Sequence, residues 1–382
     1  MEQHYKRYRV AVDEMYRNLS DMVNKNIFTD KKVYMFGTSK IASMIISYLS
    51  YNGIKLTGII DNDMKKQGYV IENLKVDSPE ILRNYDSEVV VLIASSYQNE
   101  MIKQLEDMNY EYEKNIIKVI DLPKLMGDYS FIDRSGYKLM PKNEIKIHQI
   151  EMMKYIRNIC DENGIDYYLA YGTLLGAVRH RGFIPWDDDI DIYVKGKDID
   201  KLADIINKSD RYQMFTCRNN SKFLDQLPIV IDKDSVVDFN CFPLQATMGI
   251  WIDIFPLYGL PSGENEVKEY ASKIKEMEMR KWNCLYDEEK CHIEALKLDE
   301  FISSYDFDEA EYTGYFLSPY FTKDYLKTAY FKNKDYFMFE EEKFCVPMDY
   351  AGVLETIYGD YMQLPPEDKR GERHYYKTYY SR

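Results

Sequence analysis

The segment from Asp189 to Val194, which reads DIDIYV, most constrains what this chain can fold into. Acidic and β-branched residues alternate along it, as in a strand with one face in the core and the other face open. Asp189 and Asp191 then point to one face, about 7 Å apart, while Ile190 and Ile192 point into the core. Two such carboxylates repel each other unless a cation offsets their charge. The pattern predicts a half-buried strand that holds a divalent cation.

A turn suited to phosphate and a cluster of basic residues precede this strand. Gly172 and Thr173 follow a predicted strand and open a predicted helix, where backbone N–H groups and the threonine hydroxyl can meet a phosphate. Arg179, His180 and Arg181 follow within two turns. Arginine binds phosphate oxygens bidentately and stabilises the charge that develops on transfer. In the alternative interpretation these cations only balance the aspartates, and His180 is a structural hydrogen-bonding residue.

A third acid stands in WIDIFPL, the segment that begins at residue 251. Asp253 lies there between apolar residues of a second predicted strand. If the two strands are neighbours, Asp253 joins the pair and can bind a metal or accept the proton of an attacking hydroxyl. Oxygen ligands on one face suit Mg²⁺ or Mn²⁺. Asp187 and Asp188 also fit a solvated strand end.

The composition excludes several classes of function. The 382 residues are 45% hydrophobic and 30% charged, with a net charge of -14, which argues against general binding to nucleic acid or to an anionic membrane. No apolar stretch approaches the length of a transmembrane helix, and the N-terminus has no apolar signal segment. The six cysteines are scattered without a CxxC pair, which predicts a reducing, cytoplasmic setting. Cys284, Cys291 and His292 lack a clear fourth ligand for zinc.

The chain is predicted to combine α/β and α+β parts. A doubly wound parallel sheet is predicted over residues 1–125, a linker over 126–141 and a mixed-sheet catalytic domain over 142–382. The charged, tyrosine-rich stretch of about 262–342 predicts a helical insertion into the second domain.

The first domain has only part of a dinucleotide-binding pattern. The turn at Gly37 carries one of the three expected glycines, and Asp61 stands where a ribose-binding acid would lie. A tight turn and a structural strand-end aspartate are the favoured interpretation.

The second domain closely resembles the LicD family. The resemblance rests on GTLLGAVRHRGFIPWDDDIDIYV, WIDIFPL, VPMDYAGVLETIYGDYMQLPP and RGERH, and covers roughly residues 142–260 and 343–376. The family has a nucleotidyltransferase-like fold, in which a Gly-Ser/Thr turn precedes an Asp-x-Asp strand and a later strand supplies a third acid.

The resemblance implies roles for particular residues. It places Mg²⁺ on Asp189 and Asp191, with Asp253 completing the acidic site. It assigns phosphate contact to Gly172 and Thr173. Two further residues match family positions near the substrate: Trp186, which would position the acidic strand, and His374.

The resemblance also implies a reaction. LicD-like proteins typically move phosphocholine from CDP-choline onto a sugar of a cell-surface glycan such as a teichoic acid or lipopolysaccharide, and related eukaryotic proteins move ribitol phosphate. We therefore predict Mg²⁺-dependent transfer of a substituted phosphate from a CDP-linked alcohol to a glycan or glycan-precursor hydroxyl, with release of CMP. The alternatives are a nucleotidyltransferase that releases pyrophosphate and a non-catalytic sugar- or partner-binding protein.

Overall fold

The structure, a computed structural model, describes most of the chain. The described residues are 14–38, 40–64, 66–71, 74–95, 97–120, 136–239, 248–284, 288–315, 324–366, 370 and 376–381.

Helices are distributed along the whole described chain. They are α1 (ending at residue 24), α2 (Lys40–Tyr51), α3 (Gln98–Glu106), α4 (Lys142–Asn163), α5 (Tyr171–Arg179), α6 (Ile199–Ile206), α7 (Glu264–Asn283), α8 (Glu288–Ile302) and α9 (Tyr350–Tyr358), with short 3-10 turns at Pro79–Leu82, Gly196–Asp198 and Thr328–Phe331. Within the described ranges, none of these helices has both the length and the apolar character needed to cross a membrane.

The strands form two main sheets and two small ones. They are β1 (Lys32–Phe36), β2 (Gly58–Ile60), β3 (Val70–Ile71), β4 (Leu74–Asp77), β5 (Val89–Ile93), β6 (Ile116–Lys118), β7 (Tyr167–Leu169), β8 (Asp191–Lys195), β9 (Tyr212–Phe215), β10 (Ile229–Asp232), β11 (Ser235–Phe239), β12 (Ile250–Leu260), β13 (Tyr312–Gly314), β14 (Leu326–Lys327), β15 (Lys334–Phe339), β16 (Glu342–Pro347) and β17 (Tyr376–Tyr380).

The first sheet is doubly wound and parallel, as the sequence predicts. Its order is β3-β4-β2-β1-β5-β6, and only the β3–β4 pair is antiparallel. Every residue of β5 is buried, because helices cover both faces of the sheet. Val90 and Leu92 pack in the cluster that contains α2, while Val91 and Ile93 pack with Leu105 of α3.

The second sheet is mixed, as predicted. β8 lies between two partners, antiparallel to β7 and parallel to the central strand β12. β12 also pairs antiparallel with β10, and β10 with β9. Helices α4, α5 and α6 contribute to the core beneath this sheet, where Met152, Leu174 and Leu202 have no more than traces of exposed surface.

The helical insertion is present, but it is shorter than the predicted 262–342. Its helices α7 and α8 end at Ile302. The chain then returns to the second sheet as β13, which pairs with the C-terminal end of β12, and as β14. The long strand β12 extends past β10, so its last residues need another hydrogen-bonding partner, and β13 supplies it.

The two parts of the chain share buried surface. One apolar cluster contains Ile45 and Leu49 of α2 together with Cys217, Leu224 and Cys291 of the second domain. The predicted linker falls mostly outside the described residues. Its last residues pair with β17, where the N–H of Met140 donates to the carbonyl oxygen of Thr378 at 2.8 Å.

Candidate active site

Three carboxylates from two strands converge at the centre of the second sheet. The parallel register places Asp191 of β8 directly opposite Asp253 of β12, and Asp189 lies two residues before Asp191. One carboxylate oxygen from each of the three lies within 4.8 Å of the others. The sequence-predicted acids are therefore brought together, which linear spacing alone could not establish for Asp253.

The aspartates upstream form a second, overlapping group. Asp187, Asp188 and Asp189 are half-buried, and their carboxylate oxygens also lie within 4.8 Å of one another. Asp189 belongs to both groups. The upstream acids thus add negative charge to the site rather than lying apart from it at a solvated strand end.

Burial and mutual repulsion both disfavour the charged form of Asp191 in this cluster. Burial is the largest cause that raises the pKa of Asp191 well above its ordinary value, and the nearby carboxylates of Asp189 and Asp253 raise it further. Asp191 is only 8% exposed, so water screens these charges poorly. The indole N–H of Trp251 donates to Asp253 at 3.2 Å. Oxygen donors at this spacing fit Mg²⁺ or Mn²⁺, which relieve the repulsion and accept further oxygen ligands.

Backbone hydrogen bonds hold the acidic segment in place. The N–H of Asp253 donates to the carbonyl oxygen of Ile190 at 3.1 Å. This bond extends the β8–β12 pairing to the residue between Asp189 and Asp191. The N–H of Ala170 donates to the carbonyl oxygen of Asp191 at 3.0 Å. The positions of Asp189 and Asp191 are therefore set by the sheet on both sides.

The predicted half-buried character of β8 is wrong. Tyr193 is on the same face as Asp191, yet it is almost fully buried. Its ring contacts Tyr171, Phe255 and Phe331 at centroid distances of 5.3, 6.3 and 5.5 Å. These aromatic side chains cover the face that was expected to be open, and they lower the effective dielectric beside the acids.

Thr173 supports the strand that carries Asp191. It is 2% exposed, and its hydroxyl oxygen accepts the backbone N–H of Asp191 at 2.9 Å. The hydroxyl keeps its own hydrogen as a donor, and the predicted contact with phosphate stays a prediction. Gly172 lies at the start of α5 against Asp187, whose carboxylate oxygen would be 2.4 Å from an added Cβ. A side chain at Gly172 would displace an acid of the site.

The predicted phosphate-binding arginines differ in their surroundings. The Arg179 guanidinium donates to the carbonyl oxygens of Tyr361 at 2.8 Å and Gln363 at 3.4 Å, so it holds the segment after α9. Arg181 is exposed and has a φ of 59°, in the left-handed region. Its carbonyl oxygen accepts the N–H of Glu340, at the tip of the β15–β16 hairpin, at 2.8 Å. The roles predicted for both arginines in charge stabilisation stay predictions.

Trp186 connects the acidic segment to the C-terminal part of the chain. His180 meets its ring edge-on at 6.3 Å, and the guanidinium of Arg370 lies 5.4 Å from its ring centroid. Arg370 also donates to the carbonyl oxygen of Pro365 at 2.7 Å. Burial and the charge of Arg179 both lower the pKa of His180, which favours its neutral form. His374 lies outside the described residues.

Sequence reasoning missed Gln149 of α4. Its amide nitrogen donates to the carbonyl oxygen of Asp188 at 2.9 Å, and the residue is 1% exposed. A signal existed in the helical pattern, because Gln149 falls four residues after Ile145 and three before Met152, on the apolar stripe of the helix. An amide on such a stripe needs a buried partner.

Two weaker candidates do not gather ligands. The Asp61 carboxylate accepts from Thr38 at 2.8 Å and from the N–H of Asp63 at 2.9 Å, which fits the structural interpretation of the strand-end acid. In the insertion, a ring nitrogen of His292 lies 2.8 Å from the carbonyl oxygen of Cys217, and the Cys291 thiol donates to the carbonyl oxygen of Lys281. Among the described residues, only the aspartates named above group as metal ligands.

A mixed sheet with an acidic pair on one strand and a third acid on its parallel neighbour defines a nucleotidyltransferase-type domain. Residues 164–285 match the family described as LicD/FKTN/FKRP, nucleotidyltransferase domain, and residues 29–117 match the C2185-like, N-terminal family.

Individual proteins show the same likeness. The chain is 28% identical over 266 residues to the lipopolysaccharide cholinephosphotransferase LicD of Haemophilus influenzae. The aligned region covers 63% of this chain and 99% of that protein. It is 39% identical over 108 residues to the human ribitol 5-phosphate transferase FKRP, covering 28% of this chain and 20% of that protein. A third match, mannosyltransferase regulator 4 of Saccharomyces cerevisiae, is 24% identical over 183 residues, covering 47% of this chain and 14% of that protein.

The chain therefore resembles the LicD family over residues 164–285, and two of these relatives are transferases. It spans nearly the whole length of the Haemophilus protein but only a fifth of the human one.

We expect Asp191 to make the metal-free protein less stable as pH rises above the ordinary pKa of an aspartate. Its pKa is raised in the folded state above the ordinary value of 3.8, so its contribution to stability is present below that value and is lost as pH rises through the raised pKa. Asp191→Asn cannot ionise. In the presence of a chelator, the free energy of unfolding by urea should therefore be larger for the variant than for the wild type. This difference should grow as pH rises. Parallel pH profiles of the two proteins would contradict the electrostatic argument.

We expect Thr173→Val to destabilise the fold. The substitution keeps the volume but leaves the buried N–H of Asp191 without its acceptor, at a cost of about 1–3 kcal/mol. Thr173→Ser keeps the acceptor and loses one methyl group, which costs about 1 kcal/mol. Urea unfolding measures both. A valine variant as stable as the wild type would show that the hydroxyl is not needed by the strand.

Proposed function

We propose that this protein transfers a substituted phosphate from a CDP-linked alcohol, such as CDP-choline, to a hydroxyl of a glycan or glycan precursor, with release of CMP. The observation that carries the proposal is the convergence of Asp189, Asp191 and Asp253 across the β8–β12 pair. This geometry suits a divalent cation that binds diphosphate oxygens.

The three carboxylates would hold Mg²⁺ or Mn²⁺. When bound there, the ion supplies positive charge to the phosphate oxygens and to the leaving CMP. The protein's own contribution is positioning and electrostatics, because phosphoryl transfer needs little covalent participation by side chains. Rigid backbone pairing of the acidic segment meets that need.

Cationic side chains near the acidic segment would complement the donor's negative charge. Arg370 lies over the ring of Trp186, the residue that precedes the acidic run. Burial is the largest cause that lowers the pKa of Arg179, and the nearby charge of Arg370 lowers it further. Two guanidinium groups so close together are stabilised by an anion between or beside them. A diphosphate donor would supply that anion.

The relatives favour transfer of a substituted phosphate over attachment of a nucleotide. The Haemophilus relative is a cholinephosphotransferase and the human relative a ribitol 5-phosphate transferase, so both are described by the phosphate ester that they move. The Haemophilus name also specifies lipopolysaccharide, which supports a sugar hydroxyl as the acceptor here. Phosphocholine and a polyol phosphate are both consistent with this site.

We expect Asp189→Asn to lower the rate of CMP release by at least about a hundredfold, because losing one group that stabilises transition-state charge costs roughly 3 kcal/mol. Asp210→Asn, an exposed acid on a turn, is the control and should be unaffected. The assay is mass spectrometry of CMP from CDP-choline or CDP-ribitol with glycan fragments as acceptors and added Mg²⁺. Turnover by Asp189→Asn at the control's rate would overturn the assigned role of the acidic site.

The same panel separates the competing functions. Pyrophosphate release from CTP, with a nucleotide left on the acceptor, would identify a nucleotidyltransferase. Calorimetry with Mg²⁺ and CDP addresses the non-catalytic alternative, since a protein that binds neither cannot use this site for transfer. Release of CMP from one CDP-alcohol, lost in Asp189→Asn, is the result that we expect.

A further inference from the structure

Gln149 is a polar residue at a core position. It lies on the buried stripe of α4, and the residue is 1% exposed. Apolar side chains surround that stripe, among them Met152 and Met153. A buried amide is costly unless it is hydrogen-bonded, so its contacts show what the position is used for.

The amide of Gln149 reaches the acidic segment itself. Its nitrogen donates to the carbonyl oxygen of Asp188 at 2.9 Å, across 39 residues of sequence. The orientation of the amide is determined by this contact, because the reverse orientation would place two acceptor oxygens against each other. Gln149 thereby holds the peptide that joins Asp188 to Asp189.

This contact completes a set of backbone anchors around the acids. The sheet fixes the segment at Ile190 and Asp191, through the N–H of Asp253 and the hydroxyl of Thr173. Neither anchor acts on Asp187 or Asp188, whose carboxylates lie within 4.8 Å of each other and of the Asp189 carboxylate. Repulsion would spread these acids if their backbone were free. The Gln149 side chain restrains that part of the segment from the neighbouring helix.

The amide oxygen of Gln149 helps to decide whether this residue serves the stability of the fold or the acidic segment. The Gln149 Oε1 atom is buried and has no hydrogen-bond partner among the described residues. A buried acceptor left unpaired lowers stability and offsets what the amide's one hydrogen bond contributes, so an apolar residue of similar size would serve the fold about as well. Stability alone therefore does not explain a glutamine here.

We infer that Gln149 is a positioning residue for the divalent cation, which it serves by fixing the Asp188–Asp189 peptide so that the Asp189 carboxylate meets those of Asp191 and Asp253. The inference rests on the proposed function, since it supposes a cation at the three acids. Outer-sphere partners of this kind typically change metal affinity by about 10- to 100-fold when they are removed.

The test is the affinity of Gln149→Met for Mg²⁺, measured by calorimetry on the full chain without substrate. We expect Mg²⁺ to bind at least about tenfold more weakly than in the wild type. In the transfer assay, the half-saturating Mg²⁺ concentration should rise by a similar factor, while kcat recovers at saturating Mg²⁺. The midpoint of thermal unfolding in a chelator should not fall. Wild-type affinity in Gln149→Met would overturn the inference.

The neighbouring His148 provides a matched control. Its ring nitrogen bonds Asp232 at 2.8 Å, away from the acidic segment. His148→Ala should lower the unfolding midpoint and leave the Mg²⁺ affinity unchanged. If His148→Ala weakens Mg²⁺ binding as much as Gln149→Met does, the effect is a general loosening of α4 and the inference is wrong.

A second variant, Gln149→Asn, tests the same inference if Gln149→Met does not fold. Gln149→Asn is one methylene too short to span to Asp188, and we expect it to weaken Mg²⁺ binding as well. Failure of the proposed cation site has a different result, because the wild type itself would then bind no Mg²⁺. Failure of the proposed reaction would appear as a wild type that binds Mg²⁺ but releases no CMP. Wild-type binding with full affinity in the asparagine variant would reject only the role of Gln149.

Discussion

The parallel pairing of β8 with β12 is the interaction on which the site depends. It places Asp191 opposite Asp253 and extends to Ile190, so that acids 62 residues apart in sequence face one another across a single strand spacing. The same pairing aligns Ile192 with Ile254, both fully buried. The free energy gained by burying these apolar residues holds the carboxylates together against their repulsion. A shift in register would separate the acids and expose the core at once.

The surroundings of Asp191 disfavour its charged form. Aromatic rings around Tyr193 exclude water from one side, and the resulting desolvation raises the pKa of Asp191. Trp251 donates a hydrogen bond to Asp253, while Thr173 bonds the backbone of the strand. Both contacts hold positions at the site, and the indole N–H also stabilises the negative charge of Asp253. The fold thus stores an electrostatic cost that ligand binding can release.

The regions outside the family motifs pack together and stand beside the catalytic sheet. Helix α2 of the first domain shares an apolar cluster with residues of the insertion, including Cys291 and Ala295. The insertion returns to the sheet through β13, which pairs with the end of β12 beyond the acids. β12 thereby links the paired strands of the candidate site to the chain that follows the insertion, and the insertion packs on the first domain. The first domain is thus connected to the candidate site through the insertion. Asp61 of the first domain accepts hydrogen bonds from Thr38 and from the N–H of Asp63.

The sequence by itself determined the features that a pattern within one short segment can specify. Alternation in DIDIYV identified two acids on one face and a buried stripe between them, and the family motifs identified the class of fold. Only the tertiary structure decided which groups meet across the chain, because periodicity specifies where a side chain points and not what lies opposite. Thr173 bonds a strand 18 residues away, Gln149 a carbonyl 39 residues away, and Arg179 a segment 182 residues away. Such contacts depend on packing and loop closure, which no local pattern of residues encodes.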